Sequence, residues 1–246
     1  MLKGMTIVVR KSVSNKIKTS QSMQGLAYTE SKRTDEFCNN FERCKGIVKP
    51  MVLLHSCCGP CSTSVIERLS KDYEIIVYFY NPNIDDYLEY EKRKKTQKSF
   101  IDNYNKNNGL DISFVEGDYN PEKFHEISEG FEDEPEGGMR CPRCFELRLR
   151  NTAIKAMDMG IKLFATTLTV SPHKNYEIIS AIGQKIAVEN NLQFLDIDFK
   201  KKAGFQKSIE ISKDYNLYRQ NYCGCDYARR TDISNEKKGR KLNNEQ

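Results

Sequence analysis

The residues of this sequence that are best suited to carry chemistry are its nine cysteines. Seven of them fall in three short segments: Cys57-Cys58-Gly59-Pro60-Cys61, Cys141-Pro142-Arg143-Cys144 and Cys223-Gly224-Cys225. In a reducing compartment, clustered cysteines indicate metal or redox chemistry rather than structural disulfides. The other two, Cys38 and Cys44, lie in a polar N-terminal stretch and are not candidates.

The first segment follows a short apolar strand and leads into a helix. Thiolates at a helix N-terminus are stabilised by the helix dipole and by unpaired backbone amides. Gly59 allows a tight turn, and Pro60 presets the start of the helix. Three cysteines in five residues therefore predict ligands. Cys61 keeps three interpretations: a spare ligand, a ligand of a second metal, or a residue of the first helical turn.

The second segment has C-x-x-C spacing at a predicted helix start. This spacing brings two sulfurs within reach of one metal or cluster, or forms a thioredoxin-like redox pair. Joined with the first segment, it offers enough thiolates for a Cys₄ iron–sulfur cluster or a tetrahedral zinc site. The third segment, Cys223 to Cys225, could supply two more ligands. We interpret it as a redox pair, because short strained disulfides are labile.

The three histidines have different predicted roles. His173, in Ser-Pro-His-Lys, is a candidate proton donor or substrate contact, with loop capping as an equal alternative. His55 ends a strand beside the cysteines and is predicted to pack in the core. His125 lies on a polar helix and is predicted to be solvated.

The basic residues are spread unevenly. Residues 1–29 carry five basic and no acidic side chains, which accounts for the whole formal charge of +5. A nucleic-acid surface must therefore come from local clusters. Basic and aromatic residues, the ingredients of RNA loop binding, gather near the second and third segments. They are Arg140, Arg143, Arg148, Arg150, Lys200, Lys201, Lys202, Arg219, Arg229, Arg230, Phe205, Tyr215, Tyr218, Tyr222 and Tyr227. For any one of these residues, a position on a solvated helix face is the simpler interpretation. The same holds for the basic run Lys92 to Lys95.

Strands and helices alternate in the part of the chain that must position these residues. Apolar runs predict strands at 52–55, 74–80, 112–115, 163–168 and 194–197. Helices are predicted at 62–71, 86–105, from 121, at 143–157, from 175 and at 205–215. This pattern predicts an α/β fold with a doubly wound, mostly parallel five-stranded sheet. Ligands of such sheets bind where the strand order reverses, and the loops after strands one and four flank that point.

Composition predicts one domain with appended arms. Hydrophobic residues make up 38%, below the usual share for a compact enzyme. We expect a flexible basic arm at 1–46, a catalytic domain at 47–230 and a disordered tail at 231–246. No apolar run approaches the roughly 20 residues that span a bilayer, so we predict a cytoplasmic protein without membrane association. Phosphate-binding glycine loops are absent, which disfavours nucleotide hydrolysis.

Five ordered motifs resemble the epoxyqueuosine reductase QueH family. They are His-Ser-Cys-Cys-Gly-Pro-Cys at 55–61, Tyr-Asn-Pro-Asn-Ile at 80–84, Arg-Cys-Pro-Arg-Cys-Phe at 140–145, Thr-Thr-Leu through Ser-Pro-His-Lys at 166–174 and Tyr-Arg-Gln-Asn-Tyr-Cys-Gly-Cys at 218–225. The resemblance runs from Met51 to Arg230. It implies a HUP-like fold and the reduction of epoxyqueuosine, at the wobble position of certain tRNAs, to queuosine.

The resemblance also implies the cofactors and partners. The family's [4Fe–4S] cluster would be held by Cys57, Cys58, Cys141 and Cys144, and Cys223 with Cys225 would form a redox-active disulfide. A second mononuclear metal is implied, with Cys61 and Asp226 within sequence reach. The partners would be tRNA carrying epoxyqueuosine and an unidentified electron donor.

Two alternatives remain open at the level of sequence. An iron–sulfur enzyme of tRNA sulfur transfer would need ATP activation, and the missing Ser-Gly-Gly-x-Asp-Ser loop of ATP pyrophosphatases counts against it. A zinc-stabilised RNA-binding module would be colourless and contain zinc without iron.

Overall fold

The structure is a computed structural model that describes residues 49–228. The predicted arm at 1–46, with Cys38 and Cys44, and the predicted tail at 231–246 lie outside the described residues. The strands are β1 (Met51–His55), β2 (Glu74–Phe79), β3 (Ser113–Glu116), β4 (Leu163–Thr166) and β5 (Gln193–Phe194). The helices are α1 (Gly59–Leu69), α2 (Tyr87–Asn108), α3 (Glu122–Ser128), α4 (Arg140–Asp158), α5 (Tyr176–Glu189) and α6 (Gly204–Asp214), with a 3₁₀ turn at Thr167–Val170.

The predicted α/β fold is confirmed, and all five strands are parallel. Their order is β3-β2-β1-β4-β5, so the chain moves outward from β1 to β3 and then returns to the other side of β1. The order reverses between β1 and β4, where His55 pairs with Thr166. The crevice predicted from the two loops therefore opens at the carboxyl ends of these strands.

Both faces of the sheet are covered by helices, which explains the continuous apolar run of β1. Val52 and Leu54 face one core, together with Phe100 of α2. Leu53 faces the opposite core, together with Leu149 of α4. Because alternate strand residues point to opposite faces, a strand buried on both sides must be apolar throughout.

Some element boundaries differ from the prediction. The fourth strand ends at Thr166 rather than at residue 168, because the Thr166 hydroxyl accepts a hydrogen bond from the Leu168 amide (3.1 Å) and starts the 3₁₀ turn. The fifth strand covers only Gln193–Phe194. Helix α1 begins at Gly59, three residues earlier than predicted, which puts Cys61 in its first turn. No helix within residues 49–228 combines the length and apolar character that a bilayer crossing requires.

Candidate active site

The loops that follow β1 and β4 are joined by hydrogen bonds next to the first cysteine segment. The fully buried His55 ring places Nδ1 2.9 Å from Thr166 Oγ1. In the next residue, which directly follows β4, Thr167 Oγ1 accepts from the Cys57 amide (3.2 Å) and donates to Cys57 Sγ (3.5 Å). Cys57 is therefore held at the point where the strand order reverses.

Cys57, Cys58 and Cys61 form a compact group of sulfurs. Their three Sγ atoms lie within 4.8 Å of one another, and Cys57 and Cys58 are 3.9 Å apart. Cys58 is the extended N-cap residue of α1, which lets its side chain turn toward that of Cys61 in the first helical turn. Gln220, from the C-terminal part of the chain, donates from Nε2 to Cys58 Sγ (2.9 Å). Cys61, unassigned from sequence, thus joins Cys57 and Cys58.

The pKa values of the three thiols in this group are shifted in different directions. Hydrogen bonds from Cys58 and Cys61 lower the pKa of Cys57 well below its ordinary value, and the nearby cations Arg148 and Lys174 lower it further. The bond to Cys57 raises the pKa of Cys58 to about 12, and the same neighbour raises that of Cys61 well above its usual value. Cys57 is therefore the thiol of this group that loses its proton most readily, and a metal would displace the protons of its ligands.

The other four cysteines line a small cavity of about 20 Å³. Cys141 and Cys144 come from the first turn of α4, and Cys223 and Cys225 come from the segment after α6. The Gly137 amide donates to Cys141 Sγ (3.1 Å). Burial raises the pKa of Cys144 to about 12 and that of Cys225 to about 11. The C-x-x-C and C-x-C segments therefore meet across one cavity.

The two cysteine groups lie next to each other, because their cavities have lining residues in common. A neighbouring cavity of about 420 Å³ is lined by Cys57 and Cys61 together with Cys223. Glu136, His173, Lys174 and Cys223 line both cavities. Cys223 therefore stands between the two groups, and the exposed His173 lies at their junction.

Two cations beside the sulfurs have no acidic partner. Arg148 is 1% exposed; it donates to Asn81 Oδ1 (2.6 Å) and to His55 Nε2 (3.3 Å), and its Nη1 lies 4.0 Å from Cys144 Sγ. Within residues 49–228, neither Arg148 nor Lys174 forms an ion pair with a carboxylate. Burial and the neighbouring Arg148 lower the pKa of His55 to about 3, so this histidine is neutral. A buried cation needs a negative charge nearby, and the neighbouring sulfurs can supply it to Arg148 and Lys174 as thiolates.

The family model of epoxyqueuosine reductase QueH matches residues 52–231. This chain belongs to the epoxyqueuosine reductase QueH family. Proteins named "Epoxyqueuosine reductase QueH" from Staphylococcus epidermidis and Streptococcus pyogenes are both 42% identical to it, over 182 and 184 residues. These alignments cover 73% and 75% of this chain and 76% and 72% of the relatives. The relative from Thermotoga maritima is 36% identical over 180 residues, 72% of this chain and 89% of its own length. The resemblance drawn from the five motifs is confirmed.

The predicted roles of the QueH cysteines stay predictions. Cys57 and Cys58 lie in the first sulfur group, whereas Cys141 and Cys144 line the small cavity with Cys223 and Cys225. The assignment of Cys57, Cys58, Cys141 and Cys144 to one cluster is therefore a proposal about adjoining groups. Cys223 and Cys225 are free thiols in the structure, so their disulfide is likewise a proposal.

Several polar residues have roles that the sequence interpretation missed. Arg140 is buried and donates to the carbonyl oxygens of Phe131, Glu132 and Glu134, so it shapes the loop before Cys141 rather than offering an RNA contact. Arg93, expected on an exposed helix surface, is 2% exposed, so that expectation is wrong. His125 is exposed, as predicted, and its Nε2 lies 2.8 Å from Asp85 Oδ1. Arg229 and Arg230 lie beyond the described residues.

Proposed function

We propose that this chain reduces epoxyqueuosine in tRNA to queuosine. The observation that carries the proposal is the meeting of seven free cysteines from three distant segments at the sheet's strand-order reversal, in a chain of the QueH family. Removing the epoxide oxygen to leave an alkene takes two electrons and two protons and releases water. The enzyme is therefore an oxidoreductase, and its site must supply both electrons and protons.

We propose a [4Fe–4S] cluster as the cofactor, with Cys57, Cys58, Cys141 and Cys144 as its ligands. The donor set fits such a group: soft thiolate ligands select iron–sulfur clusters, and Arg148 and Lys174 offset the negative charge. When bound, the cluster supplies electrons one at a time. Candidate ligands of a second mononuclear metal are Cys61, in the first cysteine segment, and Asp226, which follows the third.

The residues next to the sulfurs supply the other requirements. We propose that Cys223 and Cys225 cycle between dithiol and disulfide, a two-electron couple that matches the reaction. His173 is the proposed proton donor, because it is exposed and lines both sulfur cavities.

The tRNA is proposed to approach over the α4 and α5 side of the site. A cleft of about 650 Å³ there borders Cys141 and His173 and includes Tyr176, Lys200 and Lys201. Lysines that contact phosphate and an aromatic face for an unstacked base are typical of RNA loop recognition. We propose residues 47–230 as the catalytic domain, with a cytoplasmic location and a separate electron donor.

A zinc-stabilised RNA-binding module is the second candidate, because three sulfurs within 4.8 Å would also suit zinc. One experiment separates the two functions. The protein is purified without oxygen, reduced, and incubated with tRNA that contains epoxyqueuosine. Loss of one oxygen from the nucleoside, measured by mass spectrometry, supports the reductase. A colourless protein with stoichiometric zinc, no iron and no product would refute it. Sulfur transfer would instead add sulfur to the tRNA.

A further inference from the structure

One face of helix α2 carries three polar side chains that are withdrawn from solvent. Glu89, Arg93 and Gln97 follow one another at intervals of four residues, so they lie along a single stripe. Gln97 is fully buried, Arg93 is 2% exposed and Glu89 is 9% exposed. Buried polar side chains of this size require partners, and these partners lie in or near the first and third cysteine segments.

Gln97 fixes the ends of the first cysteine segment. Its Oε1 accepts from Ser56 Oγ (2.6 Å), and its Nε2 donates to Ser62 Oγ (2.9 Å). Ser56 precedes Cys57, and Ser62 follows Cys61. A β-carbon added to Gly59 would stand 3.0 Å from the Thr96 methyl group, so the segment lies directly against α2.

Arg93 fixes the third cysteine segment from the same helix. Its Nη1 donates to the Cys223 carbonyl oxygen (3.0 Å) and its Nη2 to that of Tyr222 (3.3 Å). Its Nε donates to Glu89 (2.7 Å), whose carboxylate also accepts from Tyr218 Oη (2.9 Å). Gly224 has φ of +110°, and a β-carbon there would lie 3.1 Å from Arg93 Nη1. The close approach thus depends on glycine.

We infer that Glu89, Arg93 and Gln97 are positioning residues that set the distance between the first and third cysteine segments. One helix binds the serine hydroxyls on either side of the first segment and two backbone carbonyl oxygens of the third, at points at least 160 residues apart in the chain. The forked guanidinium is suited to this role, because its two terminal nitrogens bind two successive carbonyl oxygens at once. The inference deepens the proposed function, since the two segments carry the proposed cluster ligands and the proposed redox pair.

The test measures the alkylation rate of each cysteine in the full-length protein purified without oxygen, by mass spectrometry of its peptides. Arg93→Met is expected to speed the labelling of Cys223 and Cys225 about tenfold or more relative to wild type, with little change at Cys57. Gln97→Leu is expected to speed the labelling of Cys57, with little change at Cys223 and Cys225. Arg93→Lys should fail to restore slow labelling, because one ammonium cannot replace the fork.

Lys95→Met is the matched control, since it removes one positive charge from an exposed position of the same helix. It should leave all rates unchanged. If Arg93→Met and Gln97→Leu accelerate every cysteine alike, or none, the inference is overturned. Should Arg93→Met fail to fold, the Gln97→Leu pattern alone still decides, because equal acceleration of both segments contradicts it. The labelling needs no tRNA, so failure of the proposed reaction would be seen separately.

Discussion

Replacing Arg148 by methionine should weaken metal binding much more than it weakens the fold. The guanidinium lies 4.0 Å from Cys144 Sγ and has no acidic partner within residues 49–228. Two unit charges at that distance attract by about 4 kcal/mol at the effective dielectric constant of a protein site. This attraction exists only when Cys144 is a thiolate, as it must be when it binds a metal.

In the metal-free protein the same substitution acts differently. Burial raises the pKa of Cys144 to about 12, so this thiol is neutral and gives Arg148 no charge–charge attraction. Methionine would leave Asn81 Oδ1 and His55 Nε2 without their donor, which costs about 1–3 kcal/mol for each acceptor. The removal of an uncompensated buried charge offsets part of that loss. We expect a net change of about 2 kcal/mol or less in the free energy of unfolding.

The assay titrates chelator-stripped protein with Co²⁺ against a competing chelator and follows the thiolate-to-metal absorption. Arg148→Met should reduce affinity by on the order of 10²- to 10³-fold, whereas Arg148→Lys should recover most of it, because the charge remains. Arg150→Met is the control: its ion pairs with Glu146 and Glu189 are solvent-accessible and contribute little. Urea unfolding of each variant measures its free energy of unfolding. Equal losses in Arg148→Met and Arg150→Met, or an unchanged affinity, would refute the charge-compensation argument.

Three further predictions concern the thiols and the core. Cys144→Ser should abolish the visible iron–sulfur absorbance of the reconstituted protein, while Cys38→Ser, outside the three segments, should keep it; full absorbance in Cys144→Ser would remove Cys144 as a ligand. Cys225→Ala should retain the absorbance but lose turnover in the tRNA assay, and an active variant would contradict the dithiol role. Phe164→Ala, at a fully buried position of β4, should lower the free energy of unfolding by about 3–5 kcal/mol in urea titrations; a loss below about 1 kcal/mol would mean that the strand is loosely packed.

The fold and the location of the site were predictable because both depend on local patterns. The apolar run of β1 and the alternation of strands with helices indicate a parallel sheet covered on both faces. Cys57 is the second residue after β1 and Thr167 directly follows β4, so the first cysteine segment had to meet the other loop where the strand order reverses.

The grouping of the sulfurs was harder to predict, because it depends on side-chain direction. Whether Cys61 turns toward Cys57 or away is decided by the start of α1, which the predicted boundary placed three residues late. The position of Cys223 is fixed by Arg93, 130 residues away, in a run of basic residues whose composition indicates exposure. Only the four-residue spacing of Glu89, Arg93 and Gln97 on the buried face of α2 distinguishes Arg93 from its neighbours.

Cys223 and Cys225 differ in their access to the larger cavity, which bears on which thiol of the proposed pair faces the substrate. Cys225 is 6% exposed and lines the cavity that it shares with Cys141, Cys144 and Cys223, whereas Cys223 also lines the larger cavity beside Cys57 and Cys61. A redox pair that acts on a bulky substrate needs one sulfur that the substrate can reach. We therefore propose that Cys223 is the substrate-facing thiol of the dithiol and that Cys225 is its buried partner.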